Sequence, residues 1–98
     1  MSFIFMVFHY PDSSHRDELV VAMREMAADM AHTPGFIEAG AWCEPGTDRV
    51  IGISKWASKG AFLATGITFR PSDEVPLGET RPRERFFLEV AGTAREEA

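Results

Sequence analysis

Basic side chains, cysteine and long apolar runs are all scarce in this chain, and each scarcity closes off a class of function. Ten basic residues face fifteen acidic ones, for a net charge of −5 and a pI near 5.1. That balance leaves no electrostatic footprint for nucleic acid or an anionic membrane surface, so neither is expected as a partner. No apolar run approaches the roughly 18 residues needed to span a bilayer. Cys43 is the only cysteine, which rules out an intrachain disulfide and makes a reducing, cytoplasmic setting the expectation. It has no Cys-x-x-Cys partner and no cationic neighbour in sequence, and a buried, inert thiol is expected. Neither a Gly-x-Gly-x-x-Gly turn nor a Walker motif occurs, so nothing supports a nucleotide cofactor.

What is present is an ordinary globular composition, 45% hydrophobic and 26% charged, read as one domain over residues 1–98 with a polar tail at 92–98. A chain of this size buries only about 60 to 65% of its unfolded surface, so its own core is modest. The opening "SFIFMVFHY" has no basic residue in front and no Ala-x-Ala site behind it; a buried strand is expected there rather than a secretion leader.

Residues 3–10 are β-branched, aromatic or Met up to the Pro11-Asp12 turn signal and read as a strand. Ser14, with Asp17 three residues on, is positioned to cap a helix over residues 15–31. Leu19, Met23, Met26 and Met30 recur at helical spacing as a core-facing stripe. Pro34-Gly35 ends the helix. Residues 36–43 and 50–56 form two strands around a Pro45-Gly46 type II turn. Ser58 caps a short helix through Ala64, and residues 85–90 close the pattern as a fourth strand. Strand, helix, strand, strand, helix, strand is the α+β ferredoxin-like order, a four-stranded antiparallel sheet with both helices on one face and the first and third strands central.

That arrangement leaves one sheet face bare. Strand one carries Phe3, Phe5 and Val7 on one side and Ile4, Met6 and Phe8 on the other, and the helices can cover only one set. Burying three such side chains is worth about 5 to 9 kcal/mol. A second copy, face to face in a two-fold homodimer, is the economical cover.

The stretch "TPGFIEAGAWCEPGTDRVIGISKWASKGAF", residues 33–62, resembles the antibiotic biosynthesis monooxygenase domain family. It shares the Pro-Gly-Phe entry to strand two, the short Pro/Gly/Asp turn, and a third strand ending in Trp before Ala-Ser-Lys. The resemblance implies a dimeric α/β barrel of ferredoxin-like protomers. It also implies an oxidoreductase, a cofactor-independent monooxygenase of an aromatic or polyketide-like phenol or quinol, with a small hydrophobic molecule as partner. In the family's heme-degrading branch an Asn on strand one, the strand-three Trp and a following His form the site. Trp56 matches that Trp, but strand one holds no Asn and Gly66 stands where the His is expected, which disfavours heme degradation. A non-catalytic, dimeric ligand-binding module of the same fold is the alternative.

Oxygenation without metal or flavin needs a substrate anion, a dry aromatic pocket and a base or hydrogen bond for the anion. The expected walls are Trp56, Trp42, Phe36 and Phe62, and the expected base is His9, at the end of strand one on the Phe3-Phe5-Val7 side. A three-residue loop of Pro45, Gly46 and Thr47 would bring Trp42 and Trp56 onto one sheet face. A two- or four-residue loop would separate them. No metal is expected: His15 and His32 lie about 25 Å apart along the helix, and His9, Asp12 and His15 alone make a poor ligand set. Residues 66–84, rich in Pro and Gly, read as a long crossover loop of the lid or dimer-arm kind, with Arg70, Arg81 and Arg83 as scattered charges.

Overall fold

The structure, a computed structural model, describes residues 1–94; most of the expected polar tail lies outside them. The elements are β1 (Phe3–His9), α1 (Arg16–Met30), β2 (Phe36–Cys43), β3 (Val50–Trp56), α2 (Lys59–Leu63) and β4 (Glu84–Glu89). The strands form one antiparallel sheet in the order β2-β3-β1-β4, with β3 and β1 central. This is the α+β ferredoxin-like fold expected from the sequence.

Cross-strand pairs share a face, so the register assigns every side chain. Phe3, Phe5, Val7 and His9 lie opposite Trp56, Ser54, Gly52 and Val50. Phe5 and Val7 also meet Phe87 and Arg85 on β4. This is the helix side, and it holds the core: Phe3, Val7, Val50, Trp56 and Phe62 are all buried. Ile4, Met6 and Phe8 face away from the helices beside Lys55, Ile53 and Ile51, with Leu88 and Phe86 on their other flank.

Local chemistry explains the element ends. The segment after α1 turns at Gly35, whose φ of +84° favours glycine, and a Cβ there would lie 2.5 Å from the Cβ of Ala61. The carbonyl of Gly35 then accepts from the Ala57 N–H at 2.8 Å, tying the start of β2 to the end of β3. Ser58 caps α2 as expected, its Oγ accepting from the Ala61 N–H at 3.1 Å. Ser14 does not cap α1. The N-cap is His15, without a side-chain cap, and Asp12 Oδ1 instead accepts from the N–H groups of Ser14 and His15. Asp at that place closes its own turn two and three residues on, a local option that competes with the capping box.

α1 lies across β2 and β3, and α2 touches β3. The α1 stripe is only partly as expected. Leu19, Met23 and Met30 are half-buried, whereas Met26 is 57% exposed and Ala27 takes its place on the sheet side. The helix buries no residue fully, and it leaves the helix side of β4 and of the start of β1 to α2 and the segment that follows.

The β2–β3 hairpin corrects the three-residue loop. Glu44 N–H donates to Arg49 O at 3.2 Å and Cys43 pairs with Val50, leaving residues 45–48 as a four-residue loop. Within it, Thr47 N–H donates to Glu44 O at 3.3 Å and Gly46 has φ +80°, as a Pro-Gly type II turn requires. The Glu44–Arg49 ion pair stitches the loop's base. Trp42 therefore pairs with Ile51 on the open face, and Trp56 sits on the helix face. The shared wall of two tryptophans does not exist. Cys43, expected to be buried, is exposed.

Candidate functional site

The helix side of the sheet carries an aromatic cleft of about 570 Å3 between α2, the segment after it and the β1–β4 edge. It is lined by Phe3, Lys59, Phe62, Leu63, Ile67, Phe69, Phe87 and Glu89. Strand parity puts Phe3 and Phe87 there, and the capped turn of α2 lowers Phe62 onto them, with the Phe3 and Phe62 ring centroids 5.3 Å apart. Phe69 comes from the Pro/Gly-rich loop. Its ring packs 5.2 Å from Phe5 and 5.9 Å from Phe87 while staying 42% exposed. Tilted and edge-to-face packing of this kind gives a stiff apolar wall.

Of the expected wall residues, only Phe62 lines the cleft. Trp56 and Phe36 stand behind it. Trp56 is 0% exposed, its ring edge-on to Phe36 at 5.6 Å and to Phe62 at 6.0 Å, and its Nε1–H donates to the buried Ser54 Oγ at 3.0 Å. Phe36 reaches that face through a bulge, which shifts the β2 register between Phe36 and Glu38. Trp42 lies on the far side of the sheet, 44% exposed.

His9 is on the Phe3-Phe5-Val7 side, as expected, and that side proves to be the helix face, but His9 is not in the cleft. It lies six residues beyond Phe3, the β1 residue that lines the cleft, about 20 Å at the rise of an extended strand. Its side chain is buried at 7% exposure, and Nδ1 makes no hydrogen bond to any described residue. Gly52 leaves room for the ring, and a Cβ there would come within 2.7 Å of Met23 Cε and 3.5 Å of His9 Nε2. Burial first, then the nearby Arg83 and Arg85 cations, lower the His9 pKa to about 4 against a weaker opposing pull from Glu79. The imidazole is therefore neutral at pH 7.

A pH dependence follows from His9. Its folded pKa lies below the unfolded value of 6.5, so the unfolded chain takes up the proton first as pH falls. The stability is fully present above about pH 6.5 and is lost progressively toward pH 4, by up to roughly 3 kcal/mol. Urea unfolding of His9→Gln should show that slope flattened, and an unchanged slope would rule out His9 as its source.

The loop arginines point elsewhere than the cleft. Arg83 binds Glu79 at 2.5 Å, Arg70 faces Glu74 at 3.5 Å, and Arg81 lies 4.2 Å over the Tyr10 ring. The second half of the loop is stitched to the end of β1. Thr80 N–H donates to Tyr10 O at 2.8 Å, Asp12 N–H to Gly78 O at 2.9 Å, and Tyr10 N–H to Glu79 Oε1 at 3.1 Å.

A second concavity of similar size, between the β1–α1 connection and the β2–β3 turn, holds Tyr10, Asp12, Glu44, Asp48 and Arg49. Its charges are largely spent on one another: Glu44 on Arg49, Tyr10 OH on Glu84, and Asp12 on Ser14 and His15. The Ser14 and His15 hydrogen bonds hold Asp12 down at a pKa of about 2. Among the described residues no cluster of three or more His, Cys, Asp or Glu side chains is arranged to hold a metal, and no helix is long and apolar enough to cross a membrane.

Phe69, Phe87, Ile67, Lys59 and Glu89 were not singled out from the sequence. For Phe87 and Glu89 the signal was strand parity once β4 is paired in register with β1; for Phe69 it was an aromatic residue inside a Pro/Gly-rich loop.

By its geometry the chain is an α+β domain of ferredoxin-like topology, with an apolar cleft of small-molecule size on the helix side of its sheet. No family model and no curated protein matches the sequence, but solved structures do match the fold. SnoaB, a cofactor-independent oxygenase from Streptomyces nogalater, aligns at TM-score 0.72 and 19% identity over 97% of this chain and 98% of its own. A structure described as antibiotic biosynthesis monooxygenase aligns at TM-score 0.70 and 12% identity, over 92% and 99% of the two chains. A heme-degrading protein from Mycobacterium tuberculosis aligns at 0.71 and 17%, over 97% and 100%. The chain has the antibiotic biosynthesis monooxygenase fold.

Proposed function

We propose that this protein is a small cofactor-independent monooxygenase that binds an aromatic, polyketide-like phenol or quinol in the cleft beneath α2. It would work in the cytoplasm as a homodimer joined through the open sheet face. The observation that carries this is the cleft itself: Phe3, Phe62, Phe69 and Phe87 around about 570 Å3 suit a fused aromatic ring system. The likeness of fold to SnoaB, a cofactor-independent oxygenase, supports the reaction class.

The chemistry asks little of the protein beyond binding, drying and charge stabilisation. An ionised phenol gives one electron to dioxygen, and the resulting superoxide and phenoxyl radical combine at a ring carbon as a hydroperoxide. Loss of water then leaves a quinone, with one oxygen atom in the product and one in water, and no outside reductant is consumed. Apolar walls disfavour competing water and orient the ring. Trp56 and Phe36 keep Phe62 in place from behind.

Oxygen uptake with a panel of hydroquinones and anthrones, insensitive to chelators, is the expected result. Uptake no faster than the uncatalysed background would count against the enzyme. His9→Ala turnover tests the base role directly, and an unchanged rate removes His9 from the chemistry.

One observation favours the non-catalytic alternative: Lys59 and Glu89 are the cleft's two charged side chains, and His9 is sealed away from them. Tight binding of a ring compound with no product formed would establish that module.

A further inference from the structure

We infer that Lys59 is the group that holds the ligand's negative charge, and that the cleft selects phenols and enols that bind as anions with their oxygen at the mouth. The inference rests on the cleft being the binding site, as proposed above.

Six of the eight lining residues are apolar, and the two that are not, Lys59 and Glu89, bear opposite charges. Glu89 stands opposite Phe3 in the β1–β4 ladder, while Lys59 is the first residue of α2, on the other wall. Neither forms an ion pair with any described residue. Arg49, Arg70, Arg81 and Arg83 each lie within 4 Å of a carboxylate, and Arg85, the other cation near the cleft, lies 5.2 Å over the Phe69 ring and outside the lining. Lys59 is thus the one cation in the lining of a largely aromatic and aliphatic cleft, placed to meet a ligand's oxygen at its edge. The phenolic O–H bond breaks, the proton passes to water, and the electron pair stays on oxygen beside the Lys59 ammonium. The cleft then needs no imidazole, which agrees with His9 lying about 20 Å of strand from Phe3.

The probe is 4-nitro-1-naphthol, a fused-ring phenol whose anion absorbs visible light. Titrated by absorbance with the protein in excess, it should ionise about tenfold more readily when bound, a midpoint about one pH unit lower, as a nearby opposite charge produces. Lys59→Gln should abolish that shift while the neutral probe still binds, and Lys59→Arg should keep most of it. Both side chains are exposed at the surface, so folding is not at stake. Phe69→Ala should weaken both ionic forms alike, placing the probe in the cleft. A shift that survives in Lys59→Gln, or binding without any shift, overturns the role of Lys59 and leaves the cleft as the site. Failure of both forms to bind overturns both readings.

Discussion

Trp56→Ala is expected to cost about 4 kcal/mol of folding stability, as removal of a fully buried large aromatic does. A chain of this length has roughly 5 to 15 kcal/mol in total. Trp56 is the largest fully buried side chain, and it joins β3 to β2 through Phe36 and to α2 through Phe62. Losing it opens a void in the middle of the small core and frees the wall that backs the cleft. Urea unfolding followed by far-UV circular dichroism checks this, with Trp42→Ala as the contrast. Trp42 is 44% exposed on the opposite face, so its loss should cost under about 1 kcal/mol in a single folded chain. Equal costs for the two in a monomeric background would contradict the placement of the tryptophans.

Met6→Lys is expected to convert a dimer into a folded monomer. Met6 sits at the centre of the open face, level with Ile53 on one side and Phe86 on the other. Ile4, Phe8, Ile51 and the 43%-exposed Leu88 extend the same apolar surface. In a lone chain a lysine there reaches water at little cost. Between two sheets it places one unpaired charge from each copy in an apolar layer, at several kcal/mol each. Sedimentation at micromolar concentration should show a dimer for the wild type and a monomer of unchanged circular dichroism for the variant. A wild type that sediments as a monomer removes the dimer, and a Met6→Lys protein that stays dimeric moves the interface elsewhere.

The sheet and its order were legible because their causes are local. Alternation in the first strand, the Pro34-Gly35 stop, the Pro45-Gly46 turn and the Ser58 cap each act within a few residues, and the chain folds at those places as they dictate. The cap of α1 failed for an equally local reason: the Ser14 hydroxyl donates back to Asp12 Oδ1, which also accepts from the Ser14 and His15 N–H groups, so Ser14 is spent on the turn before the helix. Sites were harder to read. Whether Trp42 joins Trp56 depends on one residue of loop length, because a slip of one inverts every side chain of a strand. The turn residues Pro45 and Gly46 are compatible with more than one such length.

By itself, then, the sequence determined the class of fold, a net negative charge, and a first strand apolar on both faces. These depend on composition and short-range patterning. Only the tertiary structure decided that Phe3, Phe5, Val7 and His9 take the inner face. Only there does a bulge turn Phe36 toward Trp56, does the loop carry Phe69 over Phe5, and do Lys59 and Glu89 meet the same cleft. The physical reason is separation along the chain. Residues 3, 59, 69 and 89 line one hollow through the register of two ladders and the path of a long connection, and no short-range preference encodes either.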